Sequence, residues 1–292
     1  MNVIRASHLG MCFGVRDAIT LALRHAGTAP LTILGDLVHN PTVLVTLRDQ
    51  GIAIAGDVAE VSTQTVMITA HGASARALAA TRARGLEIVE ATCPLVHVAH
   101  RAIRALVRDG YHPVIIGQRR HVEVLGMTED LDDFHVVLSD HDVEDLAGYP
   151  RLGVAAQTTQ PVERVRHLVA LIRRRWPQAD VRFTDTVCEP TKQRQLAAFR
   201  MALQSDVVIV VGGANSNNTR ELVNTCSEHC SRVHHVQTEA DLRAEWFTAA
   251  ATVGITAGTS TPDAVIDSID LRIRELDTRQ ARQIPCAARG EQ

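Results

Sequence analysis

The chain is almost without lysine. Lys192 is the only one, although Lys and Arg together number 30 among 292 residues, so nearly all positive charge is guanidinium. Schiff-base chemistry needs an amine and a Walker-type phosphate loop needs a lysine, so both have almost no candidates. Aromatic residues are scarce too, at 3%, and the net charge is −3. Neither suits a nucleic-acid-binding face. No apolar run approaches the roughly 18 residues of a membrane span, and Met1-Asn2-Val3-Ile4-Arg5 opens a strand-like pattern with no apolar leader. The expectation is a cytoplasmic protein with neither nucleic acid nor membrane as partner. Thiols stay reduced there, so the six cysteines read as metal ligands, nucleophiles or buried hydrophobes rather than disulfides.

What is present is apolar and repetitive. Hydrophobic residues make up 46% of the chain, enough for about two or three domains of roughly 100–150 residues. Short apolar runs at 31–34, 65–69, 86–89, 114–116, 152–155, 181–183, 207–211 and 252–256 alternate with helical spacing. Most are continuous rather than alternating, as in parallel strands covered on both faces. Helical faces are formed by Val15, Ala18, Ile19, Ala22 and Leu23, by Val96, Ala99, Ile103, Leu106 and Val107, and by Leu196, Phe199 and Leu203.

Three cysteines mark an internal repeat. Cys12, Cys93 and Cys188 each stand before a helical pattern, and His39, His121 and Ser216 follow them by 27, 28 and 28 residues. A second polar cluster follows at Ala70-His71-Gly72, Gln157-Thr158-Thr159 and Gly258-Thr259-Ser260. The order of elements predicts three similar α/β domains with mostly parallel sheets, 1–92, 93–187 and 188–280, around a pseudo-threefold axis and a central cavity. Residues 281–292 read as a polar tail. The first twelve residues are expected to complete a unit as a strand.

A thiol at a helix start is near backbone N–H groups and the positive end of the helix dipole, which favour the thiolate. Three such thiols could hold zinc or a [4Fe-4S] cluster with one open iron, and ligand softness does not choose between them. Neutral donors after apolar runs (His39, His71, His121, Ser216, Asn217, Asn218 and Ser260) suit a phosphate or diphosphate. Glu123 is the best candidate acid. Cys226, His229 and Cys230 have metal-ligand spacing on a helix but read better as a partly buried helix face, and Cys286 as a free thiol in the tail. Arg173-Arg174-Arg175 reads as a helix end rather than a docking patch.

These residues resemble the LytB-type 4-hydroxy-3-methylbut-2-enyl diphosphate reductases of the non-mevalonate isoprenoid pathway. The motifs run in order: Gly10-Met11-Cys12-Phe13-Gly14-Val15, Val38-His39-Asn40, Ala70-His71-Gly72, Ala91-Thr92-Cys93-Pro94-Leu95-Val96, His121-Val122-Glu123-Val124, Gln157-Thr158-Thr159, Asn215-Ser216-Asn217-Asn218-Thr219 and Ala257-Gly258-Thr259-Ser260-Thr261-Pro262-Asp263. Each is weak alone; the ordered set is specific.

The resemblance implies a [4Fe-4S] cluster on Cys12, Cys93 and Cys188, whose open iron takes the substrate's C4 hydroxyl. It places the diphosphate among His39, His71, His121, Ser216, Asn217, Asn218 and Ser260. It assigns proton delivery to Glu123 and hydroxyl positioning to Thr158. It implies electrons from reduced ferredoxin or flavodoxin and two products, isopentenyl and dimethylallyl diphosphate. The sequence departs from the family pattern at Val122 (usually proline), Pro190 (alanine), Asn217 (serine) and Glu221 (arginine). A non-catalytic relative that kept the cavity and a zinc phosphoesterase are the rival readings. The oligomeric state is not legible.

Overall fold

Valine and isoleucine runs form the sheets. In the computed structural model, which describes residues 1–283 and side chains as far as Asp277, twelve strands form three four-stranded sheets, parallel throughout. The chain divides into two compact units, residues 12–192 and residues 1–11 with those from 193 onward.

The second of these holds one sheet. It opens with β1 (Asn2–Arg5). The first unit continues with α1 (Phe13–Ala26), β2 (Leu31–Leu34), α2 (Pro41–Asp49), β3 (Ala53–Ala55), β4 (Thr65–Ile68), α3 (Ala75–Ala83), β5 (Glu87–Glu90) and α4 (Pro94–Arg108). A second run follows: β6 (His112–Ile116), α5 (Val122–Thr128), β7 (His135–Val137), β8 (Arg151–Ala156), α6 (Val162–Arg175) and β9 (Asp180–Phe183). The remainder is α7 (Glu189–Ala202), β10 (Val207–Val211), α8 (Asn217–Ser227), β11 (Val233–Val236), β12 (Thr252–Ala257) and α9 (Asp263–Gln283).

The sheet orders are β3-β2-β4-β5, β7-β6-β8-β9 and β11-β10-β12-β1. These are one pattern three times, except that the fourth strand of the last sheet is β1, from the other end of the sequence. Asn2 to Arg5 pair in register with Thr252 to Ile255. The expected α/β architecture of three parallel units is therefore present, and the opening residues do complete a unit as a strand.

Two of the sheets are covered on both faces where their strands are continuous apolar runs. Val207, Ile209 and Val211 pack with Ile266, Ile269 and Ile273 of α9. Val208 and Val210 pack the other way, with Ala197, Ala198 and Met201 of α7 and Leu222 of α8. All five β10 side chains are fully buried, worth about 1.5–3 kcal/mol each relative to exposure. In the β6–β9 sheet, Ile115 and Ala155 meet Ala99, Ile103 and Leu106 of α4, while Val114, Leu152 and Val154 meet Leu168 and Ile172 of α6. α9 runs to Gln283, past the expected end of the third unit at 280. Cys286 and the rest of the tail lie outside the described residues. Among the described residues no helix is long and apolar enough to cross a membrane.

Candidate active site

Cys12 and Cys93 are the residues that cap α1 and α4 at their starts, and neither side chain is consumed in capping. Cys188 precedes α7; its carbonyl accepts the N–H groups of Thr191 and Lys192 at 3.0 and 3.1 Å. All three thiols therefore leave the backbone at loop-to-helix junctions of the 12–192 unit. Loops after strand ends hold two of them in place. Cys93 N–H donates to the Ala70 carbonyl at 3.1 Å, and Cys188 N–H to the Thr158 carbonyl at 3.0 Å. Gly14, in the first turn of α1, lies against Cys93: a Cβ there would stand 2.5 Å from Cys93 Sγ.

The expectation that helix starts would favour thiolates is not met at two positions. Burial pushes the Cys93 thiol up, against the N–H groups of Leu95 and Val96, and the charges of Cys12 and Glu123 add to the rise. Burial pushes Cys188 up to about 11 despite its bonds to Thr191, again with Glu123 and Cys12 adding. Desolvation outweighs one helix terminus because a dipole is worth about 0.3–1 kcal/mol, less than the cost of enclosing a charge. The thiols and Glu123 thus share one electrostatic neighbourhood that resists negative charge, and Lys192 is engaged with Asp185 at 2.7 Å.

Glu123 lies in the first turn of α5 and is 1% exposed. Thr158 N–H donates to its Oε1 at 2.6 Å and Thr158 Oγ1 to its Oε2 at 3.0 Å. Burial still raises the carboxyl to about 7, against those two hydrogen bonds. A group with that value is available both as acid and as base near neutrality.

Three imidazoles meet beside it. His39 stacks on His71 at a centroid distance of 4.2 Å, and His121 meets them edge-on at 5.2 and 5.6 Å. His121 caps α5: its Nδ1 accepts the Glu123 N–H at 3.1 Å. That bond requires a bare Nδ1, so the proton of the neutral ring sits on Nε2, as a donor. Burial, then the charges of His39 and His121, hold His71 well below the usual histidine range. At Gly72 the backbone turns with φ +78°, a conformation that suits glycine.

The other unit carries its own donors. Ser216 caps α8, its Oγ accepting the Thr219 N–H at 3.2 Å. Asn218 Oδ1 accepts the Thr259 N–H at 3.0 Å, which fixes the amide's orientation and leaves buried Asn218 Nδ2 without a hydrogen-bond partner. Ser216, Asn217, Asn218 and Ser260 are all buried. Arg194, which sequence reasoning missed, donates from Nε and Nη2 to the Gly10 carbonyl at 3.0 and 2.7 Å. A guanidinium that binds a distant carbonyl leaves no periodic signal.

The remaining motifs are structural. Cys226 and Cys230 lie in the core beside Ala198 and Met201, burial pushes Cys226 up to about 12, and Cys230 donates to the Ser205 carbonyl at 3.4 Å. Arg173 to Arg175 end α6, where Arg175 grips Glu144 with two nitrogens at 2.8 Å. Val122 is the first residue of α5 and Pro190 the second of α7. The first position of a helix accepts proline and other residues alike, so Val122 starts α5 where a proline also could.

Three parallel sheets of one strand order, with thiols at helix starts, a buried carboxyl and a cluster of three imidazoles, define a repeat-built α/β protein with the side chains of an enzyme site. The comparisons name its family. The family model described as LytB protein matches residues 3–274. The 4-hydroxy-3-methylbut-2-enyl diphosphate reductase of Pelobacter propionicus is 38% identical over 96% of this chain and 100% of its own. The enzyme of the same name from Aquifex aeolicus is 35% identical over 94% and 97%. A solved structure of (E)-4-hydroxy-3-methyl-but-2-enyl diphosphate reductase, the terminal enzyme of the non-mevalonate pathway, is 34% identical, with a TM-score of 0.68, over 94% of this chain and 100% of that one. The reductase structure from Plasmodium falciparum, 24% identical with a TM-score of 0.87 over 92% and 87%, shares the fold. The chain belongs to the LytB family.

Proposed function

We propose that this chain reduces 4-hydroxy-3-methylbut-2-enyl diphosphate to isopentenyl and dimethylallyl diphosphate, using a [4Fe-4S] cluster on Cys12, Cys93 and Cys188. The observation that carries the reading is the buried Glu123–Thr158 pair in the same electrostatic neighbourhood as three helix-start thiols.

The donor set fits an iron–sulfur cluster better than one zinc ion. Three thiolates on a single tetrahedral zinc stand about 3.8 Å apart. Among the described residues, a different trio is the group whose ligand atoms lie mutually within 4.8 Å. A bound cluster supplies electrons and an open iron as a Lewis acid toward the C4 hydroxyl.

The chain's own residues do the rest. Two electrons and two protons convert the C4 carbon–oxygen bond into a carbon–hydrogen bond and water. Glu123, when protonated on Oε2, donates to Thr158 Oγ1 with the sense of that 3.0 Å hydrogen bond reversed; Thr158 passes its own proton to the departing hydroxyl and takes the one from Glu123, and the carboxylate left behind then recovers a proton. The donors proposed for the diphosphate are His39, His71 and His121, whose rings meet within the 12–192 unit. The Nε2–H of His121, fixed by the bond that its Nδ1 accepts, supports that role. A reduced ferredoxin or flavodoxin is the proposed electron donor.

The test is anaerobic reconstitution with iron and sulfide, followed by turnover with a reduced donor. Iron and sulfide near four of each per chain and formation of both products are expected. Zinc without sulfide, or a loaded protein that binds the diphosphate and yields neither product, sinks the reading; the second result would favour a non-catalytic relative.

A further inference from the structure

A second cluster of ligating side chains stands at the other end of the β6 strand. His112 opens β6 and His135 opens β7. Val114 pairs in register with His135, and residues two apart on a strand share a face. The two imidazoles are therefore diagonal neighbours on one side of the sheet. His112 Nε2 lies 2.7 Å from His135 Nδ1. The other nitrogen of His112, Nδ1, lies 3.5 Å from Asp133 Oδ2. Tyr149 stacks on His112 at a centroid distance of 3.7 Å and donates its hydroxyl to Asp133 at 3.1 Å. These three, His112, Asp133 and His135, are the trio whose ligand atoms all lie within 4.8 Å of one another.

We propose that this cluster is a second metal site, for a divalent cation of the zinc class. His112 Nε2 and His135 Nδ1 bind the ion in place of the proton they share. Asp133, with Oδ2 3.5 Å from His112 Nδ1, favours a proton on that nitrogen, as carboxylates do behind metal-bound histidines. Water completes the shell. Imidazole donors select zinc, copper or nickel over magnesium and calcium. With bonds of 2.0–2.1 Å the two nitrogens would stand about 3.3 Å apart, so the rings part by roughly half an ångström. His135 sits on a three-residue edge strand that can give that much. The five residues of β6, about 13 Å, separate this site from the loop that carries His121. Its role is to clip the edge strand β7 to β6, and it is independent of the thiols.

The experiment titrates Zn²⁺ alone into cluster-loaded protein, with Co²⁺ as a spectroscopic probe. One ion per chain is expected beyond the cluster, with a Co²⁺ spectrum free of thiolate charge transfer. Asp133→Asn should weaken binding about 10- to 100-fold, the range for losing such a partner, and His135→Gln should weaken it at least as much. Both side chains are half-buried or exposed, so both variants are expected to fold, and turnover without zinc should stay at the wild-type rate. No stoichiometric binding at micromolar Zn²⁺, binding unchanged in both variants, or a thiolate signature on Co²⁺ would each overturn the site.

Discussion

At the scale of single residues, burial decides the chemistry. Glu123 keeps two hydrogen bonds from Thr158 and is still raised to about 7. Glu123→Gln should lower kcat by about 10²–10⁴-fold while the cluster's absorbance is retained; an unchanged kcat would remove Glu123 from the proton path. Because the working form is protonated, kcat should fall as pH rises past about 7, and steady-state rates from pH 6 to 9 check the sign. Gly14→Ala places a methyl 2.5 Å from Cys93 Sγ and should lower the iron and sulfide retained after reconstitution. Iron content equal to wild type would show that α1 shifts without cost. The placement of the three cysteines at helix starts, and of His121 and Glu123 at the start of the helix after β6, was legible in the sequence. The rise of two thiols was not, because helix position is written in the chain and enclosure by distant residues is not. The approach of Gly14 to Cys93, the bond from Arg194 to Gly10 and the pairing of His112 with His135 were hidden for the same reason.

At the scale of elements, the same device recurs. Asn40, His121 and Ser216 all cap the helix that follows the first polar cluster, through Oδ1, Nδ1 and Oγ respectively. His121 is thus both cap and proposed diphosphate donor, and substitutions can separate the two roles. His121→Asn should keep the cap and raise KM, while His121→Ala should raise KM and also cost about 1 kcal/mol of stability. Equal stability losses in thermal unfolding of the two variants would mean that the ring, not the cap, holds α5. The strands β3, β7 and β11 escaped the sequence reading, and each is the edge strand at the same end of its sheet. An edge strand has one neighbour and tolerates polar or short stretches. Val233-His234-His235-Val236 and the three residues of β7 therefore carry too little apolar signal to be read as strands.

At the scale of the whole molecule, buried titratable groups set the pH of greatest stability. His71 and His100 are held down, His100 to about 4. The unfolded chain takes up protons near 6.5 that these rings refuse when folded, so stability falls on acidification. Glu123 works the other way, keeping its proton up to about 7 when the unfolded chain has lost it near 4.5. Between pH 4.5 and 6.5 the lowered histidines outweigh the one acid in proton uptake on unfolding, and His112 and His234, also lowered, add to the histidine side. Thermal unfolding of the chain without cluster or substrate should show Tm falling from pH 6.5 to 4.5, with a shallower fall in His100→Gln; a Tm that rises toward pH 4.5 sinks this account. The pairing of β1 with β12 bears on biogenesis. Two sheets draw all their strands from neighbouring stretches and can assemble while the ribosome is still translating. The remaining one must wait: its opening strand emerges first and stays unmatched until some 250 further residues have been made, because chains are built in one direction. During that interval residues 2–5 are a loose end that holdase chaperones can grasp, and an affinity tag fused there would delay the last closure without touching the other two sheets.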